Sequence, residues 1–208
     1  FIVPSLVIGQ VTIIDENFDN YNDQDWAGDV SSVMTTWSGG TGIGSLDDVL
    51  ITNTESFSVS NSVMITGPQA GGDQDAIIQF PTAYTSGRYE FTMKYKVAAG
   101  MGGYFNLQSY TSGFGPSPDG YWMAEVQLAA DGSGTMDAGG INGTTFNYSN
   151  GAWIDILIVC DLDLDEGHVF IDGSEIGTGF PWSLTTSGTD NISSFGAINL
   201  YSSSGDPV

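Results

Sequence analysis

Gly, Ser, Thr, Asn and Asp interrupt this chain at intervals of roughly 8–12 residues, and the stretches between them alternate apolar with polar side chains. No stretch of helical length carries apolar residues at the spacing of an amphipathic helix. Short period-two segments bounded by turns pair as strands. The pattern predicts an all-β fold, a two-sheet antiparallel sandwich. The clearest segment is Arg88–Val97, with Tyr89, Phe91, Met93, Tyr95 and Val97 on one face and Arg88, Glu90, Thr92, Lys94 and Lys96 on the other. A second runs from Trp153 to Asp163, with Ile154, Ile156, Ile158, Cys160 and Leu162 on its buried face. Residues 163–167 then turn the chain into a return strand, His168–Gly173. Further strands are expected at 57–66, 75–80, 103–111, 121–129, 144–148 and 194–201. No repeat of 20 to 50 residues is visible, which argues against a propeller or solenoid.

A chain of 208 residues suits one domain with a sizeable core. Three bases against 25 acids give a net charge of −22, too negative to neutralise a phosphate backbone or approach an anionic membrane surface. Nucleic acid and membrane partners are therefore excluded. One Cys allows no internal disulfide, and one His excludes most zinc sites and makes a catalytic triad improbable. Cys160 falls in the apolar set of its strand, and His168 opens a return strand with no nucleophile motif nearby. Residues 1–10 are apolar and end in a small residue before Gln10, as in the tail of a signal peptide, which leaves 11–208 as one domain. The alternative is a first strand from Ile2 to Ile8. The sequence stops just as a new element begins after Ile198, so the domain is expected to be truncated at its C-terminus.

Several segments resemble a known family: Asp15–Asp19 near the start, Gly87–Val97 before a Gly-rich corner, Tyr104–Gln108, Trp153–Asp163 and His168–Gly173. Together they resemble the concanavalin A-like (laminin G-like) jelly-roll domains of secreted Bacteroidetes surface proteins, over roughly residues 13–205. The resemblance implies a jelly-roll sandwich exported to the cell surface or the medium, acting as a monomeric module of a longer chain. It also implies a structural Ca²⁺ where the first strand meets the last, held by Asp15, Glu16 and Asp19 together with a C-terminal acid, either Asp206 or one beyond this sequence. The acidic turn Asp161–Gly167 is not an EF-hand, because its sixth position is Glu166 and its twelfth is Asp172.

The same fold carries laminarinase-type glycoside hydrolases, which place Glu-x-Asp-x-x-Glu on one strand. Here that register gives Glu125, Gln127 and Ala130. An amide and a methyl group can neither protonate a leaving group nor activate water, so no catalytic residue is assigned. Alternation instead puts Trp122, Ala124, Val126 and Leu128 in the core and Tyr121, Met123, Glu125 and Gln127 outward. The neighbouring outward sets are Tyr104, Asn106, Gln108 and Tyr110, and Asn199 and Tyr201. Aromatic rings stack on sugar C–H faces while amides and carboxylates bind hydroxyls, so these residues are the expected carbohydrate site. A merely solvated sheet face would have the same composition. The reading that follows is a non-catalytic carbohydrate-binding or adhesion module; the alternatives are a polysaccharide hydrolase with its acid pair on other strands, and a structural spacer.

Overall fold

The computed structural model describes residues 10–66, 74–110, 120–190 and 193–201. Its strands are β1 (Met34–Thr36), β2 (Leu50–Thr52), β3 (Ser62–Met64), β4 (Asp75–Tyr84), β5 (Arg88–Lys96), β6 (Gly103–Tyr110) and β7 (Gly120–Leu128). They continue with β8 (Ser133–Ala138), β9 (Ile141–Asn147), β10 (Trp153–Asp161), β11 (Glu166–Ile171), β12 (Ser174–Glu175) and β13 (Phe195–Tyr201). One four-residue helix, Ala27–Val30, precedes β1.

Seven strands form one sheet in the order β1-β4-β13-β6-β7-β8-β9, four form a second in the order β12-β11-β10-β5, and β2 and β3 pair separately. Every pairing is antiparallel. The core joins the inner faces of the two larger sheets: Phe105, Leu107, Val126 and Leu128 from one, Ile154, Ile156, Ile158, Cys160, Val169 and Ile171 from the other. Aromatic contacts cross between them, Phe80 to Phe91 at 6.0 Å and Tyr95 to Phe105 at 6.1 Å between ring centres. The expected hairpin holds in register, with Ile156 opposite Ile171 and Ile158 opposite Val169. Leu162 packs against the core just beyond the end of its strand.

Four strands were not expected. β1, β2 and β12 are two or three residues long, too short for alternation to show. β8 buries Gly134, Met136 and Ala138, and two of these side chains are too small to mark a strand. Gly134 is required because a Cβ there would lie 2.3 Å from the Phe146 ring of β9. Of the expected strand 57–66, only Ser62–Met64 forms one, since residues 53–61 fold into a loop tied down by Asp19. Residues 1–9 and 202–208 lie outside the described residues, so neither the signal-peptide expectation nor Asp206 meets the structure. Among the described residues no helix is long and apolar enough to cross a membrane.

Candidate functional site

The register of the seven-stranded sheet lines up its outer face in rows. Ile77 of β4, Asn199 of β13, Asn106 of β6, Glu125 of β7 and Asp137 of β8 lie opposite one another in sequence across five strands. In the adjoining row Tyr104 faces Gln127, and its ring meets that of Tyr201 edge-on at 6.1 Å. Tyr104, Asn106, Gln108, Tyr110, Glu125, Gln127, Asn199 and Tyr201 therefore share one face, as alternation required.

Tyr121 departs from this. The β6–β7 ladder shifts between Leu107 and Gln108: Ala124 stands opposite Leu107, but Trp122 stands opposite Gln108, leaving Met123 as the extra residue of a bulge. The bulge reverses the alternation at its N-terminal side. Met123 is fully buried instead of outward, and its sulfur receives the Ser109 hydroxyl at 3.3 Å. Trp122, expected in the core, joins the outer face and is 44% exposed, while Tyr121 pairs with Ser109 and leaves that face. A bulge leaves no mark on composition, so sequence parity missed Trp122.

The polar side chains of this face are bonded to one another. The Tyr110 hydroxyl donates to Gln108 Oε1 at 3.1 Å, and Gln108 Nε2 donates to Asn106 Oδ1 at 2.9 Å. Asn106 Nδ2 donates to Asn199 Oδ1 at 2.8 Å and to the Tyr104 hydroxyl at 3.1 Å. The Tyr104 hydroxyl donates to Glu125 Oε1 at 2.7 Å, and Asn199 Nδ2 donates to the Asp75 carboxylate. Gln108, Asn106, Asn199 and Tyr110 are all buried. A buried amide without partners costs several kcal/mol, which is why each donor here is spoken for. Burial, reinforced by the Asp75 charge, pushes the Tyr110 hydroxyl up to about 12, so it remains a neutral donor. Its ring packs with Ile77, Ala197 and Trp37, and lies where a Cβ on Gly196 would approach to 2.3 Å.

This network is a floor whose amides are already committed. The groups left to meet a ligand lie on β7: the Trp122 ring, the half-buried Glu125 and the exposed Gln127. Asp137, which the sequence reading did not single out because β8 was not recognised, sits directly beside Glu125. One oxygen of each carboxylate is held, Glu125 by Tyr104 and Asp137 by the Gly143 N–H at 2.6 Å. Ala130 lies beyond the end of β7, so the catalytic register considered from sequence places no acid there.

Two of the expected calcium ligands, Glu16 and Asp19, accept hydrogen bonds from neighbouring residues. Glu16 accepts from the Phe18 N–H, the Tyr21 hydroxyl and the Ser31 hydroxyl at 2.8–2.9 Å. Asp19 accepts from the N–H groups of Asn61 and Ser60 and from the Ser58 hydroxyl at 3.0–3.2 Å, and the Asn61 N–H above all holds its carboxyl below the usual range. Asp15 is exposed. Among the described residues no group of three or more His, Cys, Asp or Glu side chains is placed to hold a metal. In the acidic turn, Asp161 caps the N–H groups of Asp163 and Leu164, and Asp163 receives the Gly87 N–H at 3.0 Å. His168 pairs with Glu175 at 2.6 Å, and burial pushes the Cys160 thiol up.

No protein-family model and no curated protein matches the chain. Solved structures do. A sialidase superposes with a TM-score of 0.50 at 10% identity, over 86% of this chain and 14% of its own length. The apo Crh5 transglycosylase gives 0.46 at 16% identity over 93% of this chain and 78% of that one. The laminarinase from Rhodothermus marinus gives 0.44 at 16% identity over 90% and 84%. The architecture is a concanavalin A-like jelly roll. At these identities the likeness is one of fold.

Proposed function

We propose that this jelly roll is an exported carbohydrate-binding domain that works without catalysis. The observation that carries the proposal is the β7 row, where an exposed indole, a carboxylate and an amide stand over a floor of buried, mutually bonded polar groups. The indole supplies a stacking surface for a pyranose face, and Glu125 and Gln127 supply hydrogen bonds to hydroxyls. The floor keeps their backbone and rotamers fixed, which lowers the ordering cost of binding. The test is affinity electrophoresis and calorimetry against plant, algal and microbial polysaccharides, with Ca²⁺ and with a chelator. Retardation by at least one polymer is expected, and Trp122→Ala should weaken it at least tenfold. A panel with no ligand would overturn the proposal. A calcium ion held by Asp15, Glu16, Asp19 and Asp206 would appear in the same samples as a melting temperature that the chelator lowers.

One observation favours a second reading, a glycoside hydrolase. Glu125 and Asp137 are direct cross-strand neighbours, so two carboxylates stand side by side on one face, as the acid pair of a retaining mechanism does. Reducing ends released by the wild type and abolished by both Glu125→Gln and Asp137→Asn would establish it. Binding without release supports the non-catalytic domain.

A further inference from the structure

Resting on that reading, we infer that the Glu125–Asp137 pair sets the ligand class: the face takes uncharged polysaccharides and rejects those carrying carboxylates or sulfates. Two like charges directly opposite on neighbouring strands oppose folding unless something offsets them. Here Tyr104 and Gly143 each neutralise only one oxygen, and the other oxygen of each carboxylate accepts no hydrogen bond from a described residue. The pair therefore projects negative potential over the outer face, where Trp122 stands in the neighbouring row opposite Gln108.

Recognition of an anionic sugar requires the reverse, a guanidinium or ammonium group to receive its charge. The protein has three such groups, and β5 of the other sheet carries all of them. Each is already paired there: Arg88 with Glu90 at 2.7 Å, Lys96 with Glu55 at 2.7 Å, and Lys94 with Asp155. No base stands on the outer face of the seven-stranded sheet to reverse the sign. An uncharged chain meets no such penalty, because hydroxyls can donate to the two open carboxylate oxygens.

The experiment compares an uncharged glucan, xylan and mannan, each with its carboxymethylated derivative, at low and at moderate salt. Carboxymethylation leaves the backbone of the polymer intact and adds only charge. At low salt the derivative of whichever polymer binds should bind about tenfold more weakly or worse. The gap should shrink as salt screens the repulsion. Asp137→Asn keeps an acceptor for the Gly143 N–H, and Glu125→Gln keeps one for Tyr104. Either variant should narrow the gap, read as the ratio of the two affinities for the same variant, whatever it does to the affinity for the uncharged polymer. Equal affinity of both forms for the wild type would overturn the inference and leave the carbohydrate reading standing, as would tighter binding of the charged form. A gap that both variants leave unchanged would remove the pair as its cause. Failure of every polymer, charged or not, would overturn the carbohydrate reading and this inference with it.

Discussion

Asn106 is the junction of the polar network, since it donates to both Asn199 and Tyr104 and accepts from Gln108. Alternation in the sequence was enough to put these side chains on one face, because parity survives along any unbroken strand. It could not show that they bond to one another, because that depends on the order β13-β6-β7, which brings residues far apart in the chain side by side. It failed at Trp122 for a local reason, the extra residue at Met123. The network makes a prediction about alkali. Tyr110 is neutral and buried in the folded state, where burial pushes its hydroxyl up from the usual tyrosine value of about 10 to about 12. A raised folded pKa contributes stability that is fully present below pH 10 and is lost as pH climbs from 10 toward 12. For this buried group the loss is on the order of 2–3 kcal/mol. Denaturant unfolding should therefore show stability falling over that interval in the wild type and falling less steeply in Tyr110→Phe. Parallel slopes would locate the titration elsewhere.

At the level of elements, β10 ties the smaller sheet together. It pairs along all nine residues with β5 on one side and over Ile156–Asp161 with β11 on the other. Its apolar run was long enough to be read directly, as were β5, β6, β7, β11 and β13. Strands of two or three residues carry no readable period, and their positions come from tertiary pairing. Ile156 is buried in the centre of β10, so Ile156→Ala should cost about 2–5 kcal/mol in chemical denaturation. A cost below 1 kcal/mol would mean that the site collapses around the cavity. The loop at 53–61 depends on a different device, the Asp19 carboxylate. Its lowered pKa means that this contact is present above the ordinary carboxylate range and is lost as pH falls through the folded value. Asp19→Ala should speed hydrogen exchange at the amides of Ser60 and Asn61 at neutral pH, without changing exchange in β10. Unchanged exchange at these two amides would show that the loop is held by other contacts.

For the molecule as a whole, the charge of −22 is concentrated in a compact body and repels itself. Salt screens that repulsion, so the melting temperature should rise between low and moderate ionic strength. A flat response would show that the acids are already offset locally, as Asp48 is by the N–H groups of Gly28, Gly44 and Val49. The two-sheet sandwich was legible in the sequence, but strand order and which strand lies over which stayed hidden, since many orders satisfy the same short strands. The confinement of all three bases to β5 has one more consequence. Trypsin cuts only after Lys and Arg, and here every such bond lies within or at the end of one strand that is hydrogen-bonded along its length to β10. A protease needs an extended, detached segment, and β5 is the edge strand of the smaller sheet, so cleavage must wait for β5 to peel away from β10. Digestion should release the two flanking pieces, ending at Arg88 and beginning at Val97, at the rate at which β5 detaches from β10. The enzyme thus becomes a clock for the detachment of one edge strand, read by mass spectrometry.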